Sequence, residues 1–131
     1  MHQANPTAIT LPLVLKLVTV LLLASTTFLV ASGQSHSTNT AIGYQAGTAN
    51  TTGASNFFGG YQAGKANTTG AHNVAVGYLA LDANTTGELN VSLGSIALGA
   101  NITGANNIAV GYGALKLNTG GGTNVGIGTL A

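Results

Sequence analysis

The apolar residues of this chain form two different patterns, which meet near residue 33. The segment 17–30 is a largely apolar run without a single charge. Beyond residue 33 the apolar residues instead alternate with small ones, as in Val74-Ala75-Val76. A period of two is typical of a β-strand. The pattern predicts a hydrophobic N-terminal segment followed by a region of short strands.

The second region is a repeated unit, in which glycine, asparagine and alanine recur every 17 residues. The repeated residues are Gly43, Gly60, Gly77, Gly94, Gly111 and Gly128; Asn39, Asn56, Asn73, Asn90, Asn107 and Asn124; and Ala46, Ala63, Ala80, Ala97, Ala114 and Ala131. Such a period predicts a solenoid. The predicted units are 38–54, 55–71, 72–88, 89–105, 106–122 and a partial unit at 123–131.

Each unit predicts two short strands and two turns. In the unit 72–88, Val74 and Val76 belong to the first strand, Gly77 interrupts it, and the segment 78–81 begins a second apolar run. The Asn and Gly residues that follow tolerate positive φ and can turn the chain tightly. Glycine at this density disfavours helices. We therefore predict an all-β fold, a parallel β-roll or β-solenoid of 17-residue coils preceded by an N-terminal hydrophobic signal helix.

Stacked coils place equivalent residues above one another, about 4.8 Å apart. We expect the Val, Ile and Leu columns to form a narrow core, the glycines to allow close backbone approach, and the asparagines to form ladders between coils. A second apolar face is predicted from two further columns. These are Ala41, Ala75 and Ala109, and Tyr44, Tyr61, Tyr78 and Tyr112. Several chains packed around an axis would cover that face, so we expect self-association.

One unit departs from the pattern. Phe57-Phe58-Gly59 replaces the aliphatic alternation in the second unit. We expect a local irregularity or a bulge there.

The N-terminal segment 1–33 has the organisation of a secretory signal peptide. Lys16 precedes the apolar run, and Ala31-Ser32-Gly33 supplies small residues for cleavage. The alternative is a membrane anchor, in which Lys16 would lie inside the span at a cost of about 2.5–3.5 kcal/mol. We predict a signal peptide at 1–33, a short linker at 34–37 and the repeats at 38–131.

Composition excludes several classes of function. Charged residues make up 4% of the chain, against about 25% in an ordinary domain. Nucleic-acid binding is excluded because it needs a footprint of Lys and Arg. The lack of cysteine excludes a disulfide framework, a thiolate metal site and a thiol nucleophile.

Few residues could carry catalysis or bind a metal. The histidines His2, His36 and His72 are scattered, and we interpret His72 as an exposed turn residue. Asp82 and Glu88 flank a turn and are interpreted as solvated loop charges. The glycines lack the Asp companions of calcium-binding rolls. We predict no enzyme activity, no cofactor and no catalytic or metal site.

Threonines and glycosylation sequons concentrate in the predicted turns. The threonines Thr51, Thr52, Thr68, Thr69, Thr85, Thr86 and Thr103 would form a ladder. We favour turn chemistry for them over an ice- or glycan-facing surface. Sequons begin at Asn50, Asn67, Asn84, Asn90 and Asn101. They would be incidental in a bacterial protein and would mark surface turns in a eukaryotic one.

Three segments carry a resemblance to a known family. The segments 39–43, 73–77 and 107–111 read Asn-x-Ala-Ile-Gly, Asn-Val-Ala-Val-Gly and Asn-Ile-Ala-Val-Gly. They resemble the head repeats of YadA-like trimeric autotransporter adhesins, and the longer unit is similar to repeats of bacterial surface and tail-fibre-like proteins. The resemblance implies a left-handed parallel β-roll, a homotrimer and adhesion at the cell surface. The repeat unit of this chain is longer than the best-known head repeats.

The predicted function is a secreted or surface-displayed structural and adhesive module, the head or a fibre segment of an adhesin-like protein. The expected partners are other copies of the chain and a host matrix or glycan surface. The expected location is extracellular, or outer-membrane-associated if the protein is bacterial. The alternative is a spacer or tail-fibre-like shaft without binding activity of its own.

Overall fold

A computed structural model describes residues 38–131. The predicted signal peptide at 1–33 and linker at 34–37 lie outside the described residues. Within residues 38–131, no helix is long and apolar enough to cross a membrane.

The described chain is an all-β solenoid. Its six short strands are β1 (Thr40–Ile42), β2 (Phe57–Gly59), β3 (Val74–Val76), β4 (Val91–Leu93), β5 (Ile108–Val110) and β6 (Val125–Ile127). They form one parallel sheet in sequence order. Thr40 pairs with Phe57 and Phe57 with Val74, so each turn of the solenoid is one repeat unit long. The predicted coil length and parallel stacking are confirmed.

Each coil contains one strand, so the prediction of two strands per unit was wrong. The second apolar run of the third coil is a turn, in which Leu79 and Leu81 have φ values of 52° and 54°. Two left-handed residues so close together cannot continue an extended strand. The run is still bonded between coils, because the Leu81 N–H donates to the Ala97 carbonyl at 3.0 Å.

The core lies on the face of the strands that was predicted to point outward. The central residue of β3, Ala75, is completely buried, whereas Val76 is 40% exposed. Ala75 belongs to one apolar cluster with Ala80 and Leu81 from the rest of the coil. The interior of so thin a coil is filled by these side chains, and the branched residues that flank the strand centre point outward. The predicted Val, Ile and Leu core and the predicted outward Ala column were therefore both wrong.

The second coil is regular, so the expected irregularity or bulge was also wrong. Phe58 pairs in register with Ala41 and Ala75 and is 1% exposed. A Cβ added to Gly47 would lie 2.6 Å from Cδ2 of Phe58, and one added to Gly64 would overlap the same ring. Phe58 thus fills the space that leucines fill in later coils.

Two glycine columns form corners of the coil. Gly77 has a φ of 139°, and a Cβ there would lie 2.5 Å from the Gly94 carbonyl oxygen. A Cβ on Gly87 would collide with the Gly104 carbonyl oxygen and with Oδ1 of Asn84. The expectation that glycine allows close approach of neighbouring backbones is confirmed.

Candidate functional surface

The repeated asparagines lie inside the solenoid and connect its coils. In the column that contains Asn73, the Asn73 N–H donates to Oδ1 of Asn56 at 2.9 Å, and its Nδ2 donates to the Gly87 carbonyl at 2.8 Å. In the column that contains Asn84, Nδ2 donates to Oδ1 of Asn67 at 2.7 Å and to the same Gly87 carbonyl at 3.0 Å. The predicted ladders are confirmed, and the shared carbonyl ties the two columns together.

Burial explains why asparagine recurs at these positions. Asn67, Asn73 and Asn84 are completely buried. No buried side-chain polar atom within residues 38–131 lacks a hydrogen-bond partner. An unpaired buried polar group would cost about 1–3 kcal/mol of folding free energy. The hydrogen-bonded amides therefore stabilise the fold and are not accessible to a ligand.

Four of the five sequons therefore do not mark surface turns. Asn67, Asn84, Asn90 and Asn101 are completely buried and hydrogen-bonded through Nδ2, the atom that would carry a glycan. That interpretation for a eukaryotic protein was wrong, since these four sites are closed in the folded chain.

The threonine hydroxyls bond to backbone carbonyls. Oγ1 of Thr51, Thr68 and Thr85 donates to the carbonyl of the equivalent residue in the next coil, at 3.0–3.1 Å. For these three residues the preferred interpretation, turn chemistry with hydroxyls bonded to local backbone, was wrong in its partner, although backbone carbonyls do accept the bonds. The bonds connect neighbouring coils rather than closing a local turn.

The outward face of the sheet is apolar along all six strands of the described residues. We define the outer sheet face as the first and third residues of β1–β6, which lie on either side of the buried strand centre. Its members are Thr40, Phe57, Val74, Val91, Ile108 and Val125, and Ile42, Gly59, Val76, Leu93, Val110 and Ile127. The exposed fraction is 37% for Leu93 and 70% for Ile127. No member carries a charge, and only Thr40 carries a polar side chain.

Sequence reasoning assigned the Val, Ile and Leu residues of this face to the core and so missed this surface. The available signal was their size relative to the strand centre, which is Ala, Ser or Gly in five of the six strands. A thin coil has room for a small residue at its centre, and bulkier residues must then lie outside.

The tyrosines form a separate column, in which each stands two residues after the end of its strand. The rings of Tyr44 and Tyr61 stack with centroids 5.4 Å apart, and those of Tyr61 and Tyr78 at 5.2 Å. Ser95 occupies the next position, so Tyr112 is separated from the stack by one coil. The tyrosines are 44–64% exposed, as predicted for an outward column.

Within residues 38–131, no charged residue belongs to the outer sheet face. Lys65, Asp82 and Lys116 occupy equivalent positions of different coils, and Glu88 and His72 are exposed. Burial raises the pKa of Asp82 above its ordinary value of 3.8, while its own backbone N–H, Lys65 and the Ala83 N–H oppose the shift. Asp82 borders a shallow groove of about 390 Å³ between Leu79, Ile96 and Lys116.

The geometry offers no cluster of metal ligands within residues 38–131. Comparisons with known protein families, curated proteins and solved structures found no match.

Proposed function

We propose that this protein is a secreted or surface-displayed structural module. It self-associates through its outer sheet face and presents the polar side chains of its turns for adhesion. The observation that carries the proposal is the uncharged and predominantly apolar outer sheet face, which runs along all six described strands from Thr40 to Ile127. Contiguous exposed apolar surface of this kind marks an interaction site.

A second copy of this chain is the occupant that fits the face best. Its side chains recur once per coil, at about 4.8 Å. A copy with the same coil length has the same spacing, so its ridges can lie between those of the first along the whole length. The absence of charge on the face removes the penalty of bringing identical surfaces together.

Packing around an axis turns the apolar faces inward and leaves the turn columns at the surface. The resemblance to YadA-like head repeats favours three copies and a location at the cell surface. In such an assembly the same turn columns are displayed several times. Weak contacts with a matrix or glycan surface then add up to a higher overall affinity through avidity. The predicted signal peptide at 1–33 would supply the export route.

A spacer or shaft without binding activity is the second candidate. It is favoured by the two asparagine columns, whose amides are consumed by bonds within the solenoid. Both candidates require the rigid solenoid, but only the adhesive module requires specific, saturable binding to a matrix protein, glycan array or cell.

Self-association is tested by placing charge on the outer sheet face. We expect the wild-type chain to sediment as a homo-oligomer and Val76→Asp/Leu93→Asp to sediment as a monomer, because the interface would then bury unpaired carboxylates. The matched control is Thr69→Asp/Thr86→Asp, which adds the same charge to exposed turn positions. It should keep the wild-type oligomer.

Sedimentation velocity is read together with circular dichroism, which separates loss of assembly from loss of fold. A wild-type chain that stays monomeric at high concentration would overturn self-association. An equal effect of both double variants would overturn the assignment to this face. Binding of the oligomer to immobilised matrix or glycans then decides between adhesion and spacing.

A further inference from the structure

We infer that the stacked tyrosines Tyr44, Tyr61 and Tyr78 are a site of oxidative cross-linking, at which neighbouring coils become joined by dityrosine bonds. The inference rests on the geometry of one chain and is independent of self-association.

The rings of the three tyrosines are held at fixed separations. The centroids of successive tyrosines are 5.4 and 5.2 Å apart, and the ring planes differ by 18° and 13°. The backbone beneath them is held in register, because the Gln62 N–H donates to the Tyr44 carbonyl at 2.8 Å and the Leu79 N–H to the Tyr61 carbonyl at 2.9 Å. Two phenols of one chain are thus held as neighbours without any encounter by diffusion.

The three tyrosines are also accessible to solvent. Tyr44 is 64% exposed, Tyr61 44% and Tyr78 53%. The tyrosines are therefore open to solvent, from which a one-electron oxidant can reach them.

The reaction is the coupling of two phenols by a haem peroxidase that uses hydrogen peroxide. Each tyrosine loses one electron and the hydroxyl proton, which gives two tyrosyl radicals. The radicals combine through the ring carbons ortho to oxygen, forming one C–C bond. Each ring then moves its ortho hydrogen to the oxygen and regains a phenol. The two electrons and two protons removed reduce one hydrogen peroxide to two waters.

Tyr112 provides an internal comparison. Ser95 separates it from Tyr78 by two coils, or about 9.6 Å at the spacing of paired strands. Its exposed fraction of 53% equals that of Tyr78. Equal exposure without a stacked neighbour predicts that Tyr112 stays outside intrachain links.

Trypsin makes the test specific, since cleavage after Lys65 separates Tyr61 from Tyr78. The full chain is treated with the peroxidase and hydrogen peroxide at low concentration, and the monomer band of a denaturing gel is digested. The peptide pair joined across Lys65 is then quantified by mass spectrometry. It should be abundant in the wild type and in the variants Tyr44→Phe and Tyr112→Phe.

We expect at least a tenfold loss of the joined pair in Tyr61→Phe, and the same loss when the wild-type chain is oxidised in concentrated urea. Phenylalanine keeps the stacked ring and removes only the phenol, and circular dichroism checks the fold. The inference is overturned by an undiminished joined pair in Tyr61→Phe or in urea. It is equally overturned if the wild-type chain gives no dityrosine while free N-acetyltyrosine couples in the same reaction.

Discussion

The first two coils and the next three fill the same interior space in opposite ways. In residues 38–71 the strand of the second coil supplies one large side chain, Phe58, and the facing turns supply Gly47 and Gly64. In residues 72–122 the strand centres are small and the turns supply leucines, of which Leu81 and Leu98 are completely buried. The two regions show that packing in a thin solenoid constrains the total volume that fills the interior rather than the residue at each position.

The two solutions also differ in backbone strain. Gly47 and Gly64 have φ values of 60° and 57°, and Leu81 and Leu98 have φ values of 54° and 48° at the equivalent positions. The left-handed region is open to glycine but disfavours leucine by about 1–2 kcal/mol. The leucine-filled coils therefore retain strain that the phenylalanine-filled coils avoid, and their buried side chains must offset it.

Removal of the phenylalanine should give the largest effect. Phe58→Ala leaves a cavity lined by Gly47 and Gly64, neither of which has a side chain to fill it, and should destabilise by about 3–5 kcal/mol. Hydrogen exchange measured by mass spectrometry should show the loss of protection concentrated in residues 38–71.

Leu98→Ala is the matched control for the other region. Its loss of about 2–5 kcal/mol should fall on residues 72–122. Equal deprotection along the whole solenoid in both variants would contradict two separately filled regions.

A smaller and more specific effect is expected when one region is rebuilt as the other. Gly64→Leu alone should destabilise, because its side chain would overlap the Phe58 ring. In Phe58→Ala/Gly64→Leu the leucine can enter the vacated space, as Leu81 does in the next coil. The double variant should be more stable than the sum of the single changes predicts, with a coupling of about 1–3 kcal/mol in urea unfolding. Simple additivity would show that the two side chains do not share this space.

The smallest effect concerns the contact between the two regions. Burial raises the pKa of Asp82, in the third coil, and the charge of Lys65 in the second coil lowers it. The folded chain then binds more protons than the unfolded chain between the ordinary pKa of 3.8 and the raised value, so the Asp82 contribution to stability falls as pH rises through that interval.

Asp82→Asn should abolish this part of the pH dependence, measured as the urea midpoint between weakly acidic and neutral pH. Lys65→Met removes the charge that favours the ionised form of Asp82. The loss of stability with rising pH should therefore become larger. A steeper fall in Asp82→Asn would contradict the assignment.

The sequence predicted the repeat better than the direction of its side chains. Coil length, parallel stacking, glycine corners and asparagine ladders follow from residues that recur at one fixed interval, because each meets its own equivalent in the next coil. Alternation in β3 was detected correctly, but a period of two does not say which face is inside. That choice depended on the space within the coil, which is set by Leu81 and Ala80 from turns that the sequence presented as a second strand.

The candidate surface was lost for the same reason. Assigning Val76 and its equivalents to the core left Ala75 for the outside, so the predicted interaction face was the reverse of the observed one. The tyrosine column was predicted to lie outward together with the alanine column, and only the tyrosines are exposed. Phe58 occupies the space beside Gly64 of its own coil and Gly47 of the preceding coil, and the alternation of side chains along the strand does not report these contacts.

The most direct measurement of the in-register stacking is disulfide formation between engineered cysteine pairs, since the chain has no cysteine of its own. Thr52→Cys/Thr69→Cys places the pair on neighbouring coils, about 4.8 Å apart at exposed positions, within the range of about 4.4–6.8 Å between Cα atoms that a disulfide spans. Thr52→Cys/Thr86→Cys places the pair two coils apart, at about 9.6 Å. Under mild oxidation of dilute protein the first pair should close within the chain and the second should remain reduced. Closure of the second pair in preference to the first would contradict the stacking of successive repeat units in register.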